Sequence, residues 1–216
     1  VSPEVIHIIA RQAAEKGVAV LDAPVSGGLD QRQEGTLSIM AGGDAKAVAK
    51  AMPVFKAFGD KVFHAGGSGT GATVKLINNM LAGINMVATM EALVLGVKAG
   101  LSVQTLKEVI SASSGNNKQF EGLVDTISTR SPEPPHGQTA NQGLHTIGKD
   151  VRLANEMAQN LSVPVSLGST ALQPFLAGLA NDWGNKEYWV IMEFFEQMSG
   201  VRVRPPELTN LEEIET

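Results

Sequence analysis

The chain has 216 residues, with 17 lysines and arginines against 22 aspartates and glutamates, and no cysteine. Its length suits one or two domains with a real core, and 43% hydrophobic against 18% charged residues is a globular composition. The net charge of −5, with no basic cluster, argues against a nucleic-acid footprint. Lack of cysteine excludes a disulfide framework, cysteine-ligated zinc, an iron–sulfur cluster and a cysteine nucleophile. No apolar run approaches the roughly 18 residues of a membrane span, so none is expected. Glycine reaches 23 while aromatics are only 5%, which suggests backbone-lined sites and closely packed helices. The chain opens on Val1, as expected of a piece of a longer protein. It shows no targeting segment, so the cytoplasm is the default.

Ser2-Pro3-Glu4 is a helix start, with Ser at the N-cap, Pro at the first helical position and an acid in the first turn. Val5, Ile6, Ile9, Ala10 and Ala13 follow at helical spacing, and Gly17 fits the stop. Val18 to Leu21 reads as a short buried strand, and a helix followed by a buried strand is the rhythm of a parallel α/β sheet. Asp22 to Gly28 is a loop at the end of that strand. Thr36 to Ala41 reads as a second strand, ended by Gly42-Gly43. Asp44 caps a helix from 45 to 58, and Lys61 to His64 is a last short strand.

After the glycines at 66–71 the texture changes. Residues 72–99 form one unbroken helical stretch, with Leu76, Met80, Ile84, Val87, Glu91 and Val94 near one face. Only helices follow, at about 103–113, 118–128, 142–160, 166–180 and 186–198. A long loop lies at 130–139, and a polar, acidic tail begins at Arg202. The division expected is a partial nucleotide-binding piece at 1–68, an all-helical domain at 69–200 and a tail at 201–216.

Gly67-x-Gly69-x-x-Ala72 follows a strand and opens a helix, as a dinucleotide fingerprint does. That fingerprint needs a second parallel strand about 30 residues on, and here a helix simply continues. A tight turn with room for a ligand is the better reading. Lys75 sits one turn past this entry in a helix otherwise made of apolar and small residues. Most lone helical lysines are solvated, but Asn79 at i+4 shares the face of this one, with Asn78 at i+3. An amine beside an amide, facing a backbone-lined cleft, can donate and accept a proton. Ser26-Gly27-Gly28 can converge backbone N–H groups and a hydroxyl on a carboxylate, or be an ordinary turn. His7, His64, His136 and His145 lack ligand spacing, so no metal is expected. Asp22, a strand-end acid before Pro, reads as structural. The aromatics Trp183, Tyr188 and Trp189 read as core or a subunit interface.

Together these residues resemble the β-hydroxyacid dehydrogenase family. Asp22-Ala-Pro-Val-Ser-Gly-Gly28, with Gly35-Thr-Leu and Gly42-Gly43, looks like the family's substrate segment. Gly69-x-Gly71-x-x-x-Lys75-x-x-Asn78-Asn79 looks like its catalytic helix start, and Lys149-Asp150 like a step in its helical domain. Val163-Pro164 before the next helix is also similar. The resemblance implies the end of a Rossmann-like parallel sheet, then a 6-phosphogluconate-dehydrogenase-like all-helical domain entered by a long interdomain helix. It implies Lys75 as general acid/base, Asn79 orienting substrate, and Ser26, Gly27 and Gly28 holding its carboxylate. Lys149 would reach NAD or NADP across the domain cleft. The implied partners are a small hydroxy acid and further copies of the chain. The family's GxGxxG half is not in this sequence, and Arg32 stands where the family usually has a small residue. A dehydrogenase-like module used for binding or assembly is the alternative. An imine reductase is a third reading, which Lys75 counts against.

Overall fold

The computed structural model describes residues 2–127 and 143–203. The predicted loop at 130–139, the first residue of the helix predicted from 142, and the tail from 204 onward lie outside them. The order of elements is α1 (Pro3–Ala14), β1 (Val25–Ser26), α2 (Leu29–Glu34), β2 (Leu37–Gly42), α3 (Ala45–Phe55), β3 (Gly59–Gly66), α4 (Thr70–Lys98), α5 (Val103–Ser111), α6 (Lys118–Ile127), α7 (Leu144–Asn160) and α8 (Ser166–Ala180). A 3-10 turn, Tyr188–Ile191, then leads into α9 (Met192–Ser199). These elements form a small sheet piece followed by helices, the class the sequence predicts. The chain divides into two compact units: residues 1–80 with 150–163, and residues 81–149 with 164–216.

In the first unit the sheet runs β1-β2-β3. β2 and β3 are parallel, with Ile39 opposite Val62 and Ala41 opposite His64. β1 is antiparallel to β2, pairing Val25 with Ile39 and Ser26 with Ser38. The predicted strand at 18–21 does not form. The chain there pairs with the sheet only at the isolated bridge between Asp22 and Gly42. Val18 is accordingly 56% exposed rather than buried. The segment read as a loop instead supplies β1, which makes the sheet mixed. The core packs Ile39, Ala41, Val48 and Phe55 together, with Leu21, Met52 and Val62 against them. As predicted, Asp44 caps α3, its Oδ1 accepting from the N–H groups of Lys46 and Ala47 at 3.0 Å each. Ser2 takes the N-cap position of α1 without a side-chain cap bond. Val5 and Ile9, which recur at helical spacing, are exposed.

In the second unit the apolar face of α4 is formed by Met86, Val87, Met90, Leu93 and Val94. These positions keep the helical repeat, whereas Glu91, expected among them, is exposed. Gly96 lies where a Cβ would come within 2.7 Å of Leu106, so α5 packs against the bare backbone of α4. Gly178 does the same for Leu144, on α7. Phe175, Ile191 and Met192 are fully buried, and Trp189 joins this core. Val203, expected in a free tail, is also buried, and its N–H donates to Glu196 Oε1 at 2.7 Å. By length and composition alone α4 could cross a membrane, contrary to the expectation of no such segment. It nevertheless carries Lys75, Asn79 and Glu91 along its length and buries one face in protein.

Candidate active site

The glycine-rich turn at 66–71 delivers α4 to the sheet, and its glycines have distinct physical reasons. At Gly71 a Cβ would run into the carbonyl oxygen of Met40 on β2, so only glycine lets the first turn of α4 lie this close to the strand. Gly69 has φ +86°, a conformation L side chains rarely adopt, and a Cβ there would meet His7 Nε2 at 2.6 Å. His7 Nε2 itself lies 2.7 Å from the carbonyl oxygen of Ser68. A carbonyl only accepts, so Nε2 carries the proton. His64 Nε2 donates likewise to Gly43 O at 2.9 Å. Both histidines brace glycine turns, and no metal-holding group of acids and histidines occurs among the described residues.

Asp22 explains why the turn is not a phosphate cradle. Its Oδ1 accepts from the Gly69 N–H and its Oδ2 from the Ala72 N–H, both at 2.7 Å. The carboxylate is 5% exposed and fills the place at the helix start where a phosphate would bind. A second anion there would meet its charge. The dinucleotide-like spacing therefore serves a helix cap reached across 47 positions of sequence. The backbone of Asp22 is also bonded to Gly42 in both directions, at 3.1 and 2.7 Å. One residue thus ties the 22–28 segment, β2 and α4 together.

On α4, Lys75 is half-buried and Asn79 is 6% exposed, one turn further on. Asn79 Nδ2 donates to Asp150 Oδ2 at 2.6 Å, and its Oδ1 accepts from Asn78 Nδ2 at 3.0 Å. Asp150, on α7, is likewise 6% exposed. A buried carboxylate needs such a donor, and the pairing sets which way the Asn79 amide points. Nδ2 has two hydrogens, so one remains beyond the bond to Asp150. In the sequence Asp150 stands out only beside Lys149, as part of a pattern. Its bond to Asn79 spans 71 positions, beyond the reach of any local signal.

Ser26 and Gly27 leave the sheet at the end of β1, and Gly28 is the N-cap of α2. A Cβ on Gly27 would meet Leu37 Cδ2 at 2.5 Å, whereas one on Gly28 would meet nothing within 4 Å. The Gly28 N–H donates to Gln31 Oε1 at 3.1 Å. Lys75, Asn79, Asp150 and the 26–28 segment all belong to the first compact unit, while Lys149, half-buried on α7, belongs to the second.

A model described as the NAD-binding domain of NADP-dependent 3-hydroxyisobutyrate dehydrogenase matches residues 69–193, and one for the NAD-binding domain of 6-phosphogluconate dehydrogenase matches residues 1–67. The chain belongs to the β-hydroxyacid dehydrogenase family. Among its relatives is 2-(hydroxymethyl)glutarate dehydrogenase of Eubacterium barkeri, 38% identical over 94% of this chain and 66% of that protein. Another is 3-hydroxyisobutyrate dehydrogenase of Pseudomonas aeruginosa, 41% identical over 81% of this chain and 59% of that protein. The crystal structure of a 3-hydroxyisobutyrate dehydrogenase from Salmonella typhimurium superposes with a TM-score of 0.78 at 28% identity, covering 90% of this chain and 66% of that one. The chain thus spans about two thirds or less of the proteins it matches. The family's cofactor is a nicotinamide dinucleotide, NAD or NADP.

Proposed function

We propose that this protein is an NAD(P)-dependent oxidoreductase that interconverts a small 3-hydroxy acid and its semialdehyde or keto form. The observation that carries the reading is the placement of Lys75 and Asn79 on one face of α4, with Asn79 held by the buried Asp150. The bound nicotinamide supplies the hydride exchange. In the oxidation direction the Lys75 amine takes the hydroxyl proton, and in reduction its ammonium returns that proton to the oxygen. The spare N–H of Asn79 orients the same oxygen. Ser26, Gly27 and Gly28 hold the carboxylate, and Lys149 serves the cofactor. Self-association accompanies this reading, and the exposed Val74, Ile77, Leu81 and Leu95 of α4 are the faces offered for it.

The names of the relatives support the substrate class. 2-(Hydroxymethyl)glutarate, 3-hydroxyisobutyrate and L-serine, for which relatives are named, all carry a hydroxyl on the carbon β to a carboxylate. The test is Lys75→Ala in the full product of the reading frame that encodes this chain. Turnover of such acids, followed by reduced-nicotinamide absorbance, should fall by about 10²–10⁴. Near-normal kcat in that variant rejects the role of Lys75.

A further inference from the structure

We propose that Asp22 is a positioning residue for proton transfer at Lys75, which it places by gripping the first turn of α4. This role rests on the reading above, in which Lys75 is the acid/base, and adds to it a residue that acts through Lys75.

Asp22 holds the turn with both carboxylate oxygens. Oδ1 accepts from the Gly69 N–H and Oδ2 from the Ala72 N–H, both at 2.7 Å, the short distance expected of a charged acceptor. The turn is also closed from within, where the Thr73 hydroxyl donates to the Gly69 carbonyl at 2.9 Å. On its other side Asp22 has no slack. Its backbone N–H and carbonyl are both bonded to Gly42. A Cβ on Gly42 would stand 2.5 Å from Asp22 Oδ1 and 2.8 Å from the Gly71 nitrogen, and a Cβ on Gly71 would stand 2.9 Å from Asp22 Oδ2. The strand, the carboxylate and the helix start therefore meet with no room for a side chain between them.

Lys75 follows Ala72 by three positions, so it lies on the same side of α4, about 4.5 Å further along the axis. One turn beyond it, Asn79 is bonded to Asp150 at 2.6 Å. Lys75 thus stands between two carboxylate anchors, one at Ala72 and one at Asn79. The second anchor orients the amide, and the first sets the register of the amine. Placement of this kind matters most where a proton moves, since a shift of about 1 Å can cost about 10²-fold in rate. Asp44 offers the contrast within the same unit. It too caps a helix, accepting from Lys46 and Ala47, but α3 carries no residue assigned to the reaction.

The test compares Asp22→Asn, Asp22→Glu, Asp44→Ala and Lys75→Ala with the parent, as full reading-frame products, below the melting transition of each. The substrate is whichever of 3-hydroxyisobutyrate, 2-(hydroxymethyl)glutarate and L-serine the parent turns over fastest. An Asn at 22 turns a donor toward one of the two backbone N–H groups, so the turn must shift. In Asp22→Asn kcat should fall at least about 10-fold with KM changed less than about 3-fold, and the solvent deuterium isotope effect on the single-turnover rate should grow. Asp22→Glu keeps the charge and both oxygens but adds a methylene, so it folds readily, and its kcat should fall at least about 3-fold. It decides the matter should the Asn variant not fold. Asp44→Ala should keep the kcat and isotope effect of the parent. Without substrate or cofactor, trace acetylation of Lys75 read by mass spectrometry should change rate at least about 3-fold in the Asp22 variants and stay as in the parent in Asp44→Ala. Asp22 variants that match the parent overturn the inference, as does a loss of kcat that Asp44→Ala shares or that leaves the isotope effect unchanged. Near-normal kcat in Lys75→Ala rejects the acid/base reading itself, whereas a slow Lys75→Ala beside parent-like Asp22 variants rejects the role of Asp22 alone.

Discussion

The two compact units solve the same burial problem differently. The second is closed by apolar side chains, with Phe175, Leu123, Ile127, Ile191 and Met192 fully buried and helices brought close at Gly96 and Gly178. The first has a small apolar core around Ile39 and Phe55 and depends on backbone contact and paired polar groups. Among the described residues, four of the six buried polar side chains belong to it: Asp22, Asn79, Asp150 and Asn155. Asp22 bonds to the start of α4, Asn79 to Asp150, and Asn155 Nδ2 to the Val151 carbonyl. Buried polar groups are costly unless paired and, once paired, permit few arrangements. The unit with the smaller apolar core is therefore the one that can fix a lysine and an amide in a defined geometry.

That contrast can be broken by substitution, and Gly71→Ala is the strongest probe. Its Cβ would meet a strand carbonyl, which cannot swing aside as a side chain can. We expect a loss of about 3 kcal/mol or more by denaturant titration. An unchanged midpoint would show that α4 does not depend on its close approach to β2.

The second probe belongs to the other unit. Burial, and then the Glu187 charge, push the Tyr188 hydroxyl up to about 12. The folded state keeps this proton up to about pH 12, while the unfolded chain releases it near pH 10. The stability it contributes is therefore whole below about pH 10 and is lost as pH rises toward 12. The parent should lose about 2–3 kcal/mol across that window relative to Tyr188→Phe, which cannot titrate there. Parallel pH curves for the two proteins would contradict this.

Asp22→Asn is the third. An amide can accept one of the two N–H groups at the start of α4 but turns a donor toward the other, and the charge is lost. The expected cost is about 1–3 kcal/mol. Thermal melts that match the parent would show that α4 needs no cap from Asp22.

Gly28→Ala is the smallest and separates structure from function. The φ of Gly28 is −77° and a Cβ there meets nothing, so stability should change by no more than about 0.5 kcal/mol. A fall in activity with an unchanged melting curve would mark the 26–28 segment as a ligand seat. An equal fall in both would make it an ordinary turn.

Local chemistry made much of this protein legible in advance. Asp44 before a helix, Pro3 at a first turn and the unbroken run from 72 to 99 act over a few residues, and those helices form where expected. Lys75 and Asn79 share a face because a helix repeats every 3.6 residues. α2 escaped notice because its six residues contain one apolar side chain and no periodicity. The strand expected at 18–21 does not form, because an apolar run becomes a strand only where the fold sets it beside a partner strand, which no window of sequence contains. Asp22 as the cap of α4 and Asp150 as the holder of Asn79 are likewise decisions of the fold. The sequence by itself determined which residues could carry charge and protons and which stretches would coil. Only the tertiary structure decided which of those groups meet, because Asp22 and Asp150 find their partners across 47 to 71 positions of chain.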